Sequence, residues 1–129
     1  AENMFVTAIT TLWFSAISSA IVDNIPFVAS MIPLVIDTAH AVLPSGTDFK
    51  SVVQHPTLMP VWWSLALGAC LGGNGSPVGA SANVITLGLA EKAGYPISFK
   101  KFIIYAIPIT IETIIIATVY IWLRYYIFL

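Results

Sequence analysis

The sequence predicts an all-α, polytopic membrane fold. Three observations carry that expectation: too few charges for a water-facing surface, apolar runs long enough to cross a bilayer, and polar breaks inside two of those runs. Of the 129 residues, 58% are hydrophobic and only 9% charged, with a mean hydropathy of +0.91; ordinary soluble domains carry about 25% charged residues. Eleven Lys, Arg, Asp and Glu side chains cannot clothe a soluble domain of this length, so the lipid bilayer is the expected surrounding. A buried subunit of a soluble complex is the alternative that composition leaves.

The first element is the uncharged run Met4 to Val22, 19 residues, which as a helix is roughly 28 Å long at about 1.5 Å per residue. Asp23, Asn24 and Pro26 follow at once. A second uncharged run, Phe27 to Ile36, is too short to span by itself. Two geometries fit: a spanning helix followed by an interfacial turn, or a re-entrant hairpin of two helices meeting at a polar tip inside the membrane. The hairpin requires a tip enclosed by protein or lining a watery cavity, because unpaired backbone groups facing lipid cost several kcal/mol each. Ser15, Ser18, Ser19 and Asp23 recur at helical spacing, and this polar stripe favours burial against protein.

From Asp37 to Pro60 the chain turns polar and rich in Pro and Gly, so it should leave the membrane as an outer loop. Its histidines, His40 and His55, lack the spacing and companions of a zinc site and read as solvated. Val61 to Leu71 is apolar again, entered through Trp62 and Trp63 at the depth where amphipathic rings favour the headgroups. Gly72-Gly73-Asn74-Gly75-Ser76-Pro77 then interrupts it, since three glycines and a proline cannot stay α-helical cheaply. Helix can resume from Val78 or Gly79 to Glu91. The stretch Val61 to Ala90 is longer than a straight span needs, as one membrane helix broken near its middle would be.

The loop Glu91 to Lys101 holds three of the five basic residues and is expected on the cytoplasmic side. Phe102 to Leu123 forms a last span with one charge, Glu112, and ends outside. The expected divisions of the membrane repeat 1–129 are thus a hairpin at 4–38, an outer loop at 39–60, a broken helix at 61–93 and a last transmembrane helix at 100–128. Ala1-Glu2-Asn3 leads into an apolar run with no basic n-region or small-residue cleavage site. No signal peptide is expected, and the chain is expected to continue something upstream.

The chemistry implied is that of ion handling rather than catalysis. A net charge of −1 without a basic field excludes nucleic acid. Cys70, the single cysteine, excludes an internal disulfide and reads as a small packed side chain. No Ser-His-Asp order, metal cluster or phosphate loop is present, so neither an enzyme nor a bound cofactor or metal is expected. Unwinding a membrane helix frees backbone N–H and C=O groups and brings helix ends to a midplane site. The candidate ion- and substrate-binding residues are therefore Asp23 and Asn24 at the first break, Gly73, Asn74, Gly75 and Ser76 at the second, and Ser81 and Asn83 just beyond it. Asp23 and Glu112 are ionisable groups within apolar segments, candidates for proton coupling. The structural readings are a solvated cap for Asp23 and a neutral packing residue for Glu112.

These motifs resemble the ion transporter superfamily of arsenite permeases, sodium/proton antiporters, dicarboxylate and citrate transporters and the melanosomal P protein. Ser19-Ala20-Ile21-Val22-Asp23-Asn24-Ile25-Pro26-Phe27 with Met31-Ile32-Pro33 is similar to the hairpin of its second, C-terminal repeat. Leu67 to Ser76 running into Gly79-Ala80-Ser81-Ala82-Asn83-Val84-Ile85 is similar to its broken helix. The resemblance implies one half of an inverted-repeat transporter, with a site between hairpin tip and break, a missing N-terminal repeat supplied by the same or a partner chain, and a homodimer. The acidic tip, in place of the Ser-Asn-Thr of the dicarboxylate branch, favours cation-coupled secondary transport with sodium or a proton as coupling ion. The alternatives are an anion permease, such as an arsenite or carboxylate exporter, and a non-transporting membrane assembly subunit.

Overall fold

A computed structural model describes residues 2–44 and 46–128; Ala1, Ser45 and Leu129, part of the expected repeat 1–129, lie outside it. The described residues are helical and contain no strand. α1 (Glu2–Ser19) and α2 (Asn24–Val42) are joined by a four-residue tip, Ala20 to Asp23. α1 contains no Gly or Pro, so nothing interrupts its backbone ladder before the tip. Asp23 caps α2, and Pro26 falls in its first turn, where a missing N–H costs no internal hydrogen bond. The two helices run antiparallel: the rings of Phe14 and Phe27 lie 6.3 Å apart, and Thr7 and Thr11 share a small cavity with Met31, Val35 and Thr38.

α2 extends to Val42, four residues beyond the expected hairpin limit at residue 38. Ala39 is fully buried, and the Thr38 hydroxyl returns to the Leu34 carbonyl at 2.8 Å, so the helix tolerates the polar residues 37–40. It stops where Leu43 turns extended (φ −91°, ψ 157°), the conformation that the following Pro44 imposes. The expected outer loop itself contains a short helix, α3 (Phe49–Val53), and a 3-10 turn at Pro56–Leu58. Val52 and Leu58 seal this segment onto Ala39.

α4 (Met59–Gly72) runs parallel to α1 and makes the closest packing in the molecule. Gly68 faces the Leu12 carbonyl and the Ser15 side chain, and Gly72 faces the Ala16 backbone; a Cβ at either position would collide with those atoms. Small residues at i and i+4 thus let two backbones meet, which is how apolar helices gain dispersion energy where lipid removes the hydrophobic driving force. Cys70, expected to be packed, is exposed, because it lies two residues from each of these glycines, on the opposite side of α4.

After Gly72 comes a 3-10 turn, Gly73–Gly75, then Ser76 to Ala80 without helix, then α5 (Ser81–Lys92). Helix resumes later than expected because Gly79 is held against Gly73 and the Ser19 carbonyl, with no room for a Cβ, and Ala80 is extended (φ −151°, ψ 137°). α6 (Phe99–Trp122) starts at a Ser98 cap, runs antiparallel to α1 and α4, and ends in a π-helical turn at Leu123–Ile127. Thr110 lies beside Gly75, Ile114 and Ala117 pack on Leu12 and Ala16, and Ile121 joins Ala8 and Leu65. The Trp13 indole N–H donates to the Thr118 hydroxyl at 3.1 Å across the same seam.

Two helices, Asn24–Val42 and Phe99–Ile127, are long and apolar enough to cross a membrane. Exposed Val, Ile, Leu, Phe and Tyr side chains cover much of the surface, which is costly in water and natural against lipid or another protein. α5 buries no residue at all.

Candidate functional site

The hairpin tip lies against the break between α4 and α5, and five hydrogen bonds donated by serine and asparagine side chains define that junction. At the lower edge, the Ser19 hydroxyl donates to the Ala69 carbonyl at 2.7 Å. Ser15 and Ser19, two of the four residues of the polar stripe expected along α1, are fully buried against α4, and Ser18 and Asp23 are half-buried. One turn on, the Ser76 hydroxyl donates to the Ala20 carbonyl at 2.5 Å and accepts from the Gly79 N–H at 3.1 Å. Ala20 lies just past the end of α1, where carbonyls have no partner within the helix; Ser76 provides one.

Asp23 stands between two helix N-termini. Its Oδ1 accepts from the Ile25 N–H at 3.1 Å, capping α2, while Oδ2 accepts from the Ser81 hydroxyl at 2.5 Å. Ala80 provides α5 with no side-chain cap, and the Asp23–Ser81 bond ties the start of α5 to a residue 58 positions earlier. A carboxylate at the positive end of a helix is favourable. Among the described residues no Lys, Arg or His forms an ion pair with it.

Asn83 closes the break from the other side. Its amide nitrogen donates to the Gly73 carbonyl and to the Ser76 carbonyl, each at 2.9 Å. Its backbone N–H bonds the Ala80 carbonyl at 3.0 Å, completing the first turn of α5.

The structure therefore brings Asp23, Gly73, Gly75, Ser76, Ser81 and Asn83 into one junction. Asn24 begins α2 half-buried beside Asp23, and Asn74 is exposed on the 3-10 turn; neither side chain makes a hydrogen bond among the described residues. Glu112 is not part of the junction. It is exposed on the side of α6 away from the buried face formed by Thr110, Ile114, Ala117 and Ile121.

Sequence reasoning missed several contributors. Ser19 was legible only as part of a stripe, without its partner, and the Ala20 carbonyl was not marked at all. Thr110 has a buried hydroxyl without a hydrogen-bond partner and lies 3.6 Å from where a Gly75 Cβ would stand; nothing in its apolar context marked it. Gly68 and Gly72 could have been found, since Gly68-Ala69-Cys70-Leu71-Gly72 has the small-x-x-x-small spacing of a close helix crossing. Beside the junction, between α1 and α6, an apolar groove of about 330 Å³ reaches Gly75 and Ser76 past Trp13, Ala16 and Ala20.

Comparison with known proteins gives the same direction. A Mycobacterium tuberculosis protein named an uncharacterized transporter is 45% identical over 127 residues, covering 98% of this chain and 27% of its own length. A Mycobacterium leprae protein named a 46 kDa membrane protein is 46% identical over 121 residues, covering 92% of this chain and 25% of its own. The human P protein is 37% identical over 119 residues, covering 92% of this chain and 13% of its own. No family model matches the chain, and no solved structure does. Along nearly its whole length, then, the chain is homologous to proteins of which one is named a transporter, one a membrane protein and one the P protein, and it spans about a quarter of the length of the mycobacterial ones.

Proposed function

We propose that the chain is the C-terminal repeat of a cation-coupled secondary transporter, with sodium or a proton as coupling ion. The single observation that carries this reading is the Asp23 carboxylate. It lies at the contact of hairpin tip and helix break, bonded to Ser81 and to no basic side chain among the described residues. An unbalanced carboxylate at membrane depth is expensive unless it meets a cation, a proton or water.

α4 and α5 contain 14 and 12 residues, about 21 Å and 18 Å of helix at roughly 1.5 Å per residue. The tip sits at their junction, so α1 running parallel to α4 covers only the first half of that path. If α4, the break and α5 cross the bilayer as one broken helix, the tip is at its midplane and the hairpin is re-entrant. The loop Glu91 to Lys101 is then cytoplasmic, and the C-terminus lies on the outer side with the open ends of the hairpin. A first, inverted repeat, in the same or a partner chain, completes the site, and the transporter is a homodimer.

Anion export is the second reading, and one feature favours it: the N-termini of α2 and α5 converge on one point, and helix N-termini attract anions. Asp23 already fills that point, so a free anion would have to compete with a tethered carboxylate. The test is flux through the full transporter in proteoliposomes under separate sodium, proton and anion gradients. Cation-driven flux that Asp23→Asn lowers sharply, leaving a measurable residual rate, is the expected result. Anion flux indifferent to cation gradients supports the second reading, and no flux under any gradient supports an assembly role.

A further inference from the structure

We propose that Asn83 is a positioning residue that acts as a placeholder for the coupling cation, and does not bind that cation with its own side chain. This rests on the cation-coupled reading above. Asn83 sits on the first turn of α5 and reaches back over the break, donating to the Gly73 and Ser76 carbonyls at 2.9 Å each. An amide nitrogen has two hydrogens to give, and both are used. One carbonyl belongs to the first residue of the Gly73–Gly75 turn and the other to the residue that follows it, and both are among the oxygens that unwinding frees for an ion.

The amide nitrogen thus stands between two carbonyl oxygens, where a small cation would stand, and it presents the same sign of partial charge. The Ser76 carbonyl also accepts from the Gly79 N–H at 3.3 Å, so its two lone pairs are both engaged. A cation that takes these carbonyls has to displace the amide first. Asn83 therefore keeps the break folded when no ion is bound and weakens the ion's hold by the two hydrogen bonds that must be given up. The side chain that looks like a ligand in the sequence thereby competes with the ion for the same two carbonyls.

The test uses the full transporter in proteoliposomes, with flux measured against sodium and proton concentration separately. Asn83→Ala should lower the half-saturating concentration of the coupling cation about tenfold, the worth of two modest hydrogen bonds, while the maximal rate stays within about threefold. Asn83→Thr, which keeps one donor, should fall between, and it serves where the alanine variant does not fold. An unchanged half-saturation overturns the proposal, and a raised one makes Asn83 a ligand instead. Flux that follows neither cation overturns the functional reading and the placeholder role together. Hydrogen exchange without cation then tests the brace separately: exchange at residues 79–83 should rise at least about tenfold in Asn83→Ala, and unchanged protection removes the brace as well.

Discussion

Gly72→Ala places a single methyl at the tightest point of the molecule. Its Cβ would fall on the Ala16 carbonyl oxygen, Cα and carbonyl carbon, all of them backbone, so no rotamer change can clear it. α1 and α4 must move apart. Overpacking a dense interior costs about 1–3 kcal/mol and sometimes more, and the upper end applies here because the obstructing atoms belong to a helix. The displacement also stretches the Ser19 to Ala69 bond of 2.7 Å and the Ser76 to Ala20 bond of 2.5 Å, which flank the same seam. The control is Gly88→Ala: nothing lies within 4 Å of a Cβ at Gly88, and removing a glycine from a helix interior gains about 0.5–1 kcal/mol. Denaturant unfolding of the full transporter in bicelles should then separate the two variants by about 3 kcal/mol or more. If Gly72→Ala unfolds at the same denaturant activity as Gly88→Ala, the close packing of α1 on α4 described here is wrong.

Two further outcomes are expected. Ser15 and Ser19 are equally buried, but only Ser19 has a partner. Ser19→Ala should therefore cost about 0.5–1.5 kcal/mol of unfolding free energy, while Ser15→Ala is neutral or stabilising; equal effects in the same unfolding assay would remove the Ser19 to Ala69 bond from the account. In the outer loop, the Ser51 hydroxyl and backbone N–H bonds hold the Asp48 carboxyl below its ordinary value of 3.8. A depressed carboxylate stabilises the cap of α3 above its unfolded value and loses that effect as pH falls through its folded one. Exchange protection at residues 51–53 should accordingly decline below about pH 4, and Asp48→Asn should flatten that decline.

The helical segments and both breaks were legible because their causes are local. Apolar length marks the helices, Pro26 marks the start of α2, and Gly73 to Pro77 is a run costly in an α-helix. The end of α2 was less legible, since Asp37, Thr38 and His40 look like loop residues until Ala39 is seen buried beneath them. Candidate site residues were found as residue types but not as partners. Nothing in a single sequence ties Asp23 to Ser81 across 58 positions or turns the Asn83 amide onto two carbonyls, because those pairings come from the parallel packing of α1 on α4. Glu112 shows the opposite case: its charge within an apolar run drew attention, yet its place on the helix turns it away from the junction.

On the function proposed above, hairpin tip and helix break act as one site, joined by Asp23 and Ser81. A double-mutant cycle on transport rate in the full protein tests it most directly, with Asp23→Asn, Ser81→Ala and both together. Ser81→Ala alone should lower kcat/KM about tenfold, near the worth of a hydrogen bond to a charged group, and should add almost nothing once Asp23 is Asn. Additive losses, each change costing the same whether or not the other is present, would contradict the claim.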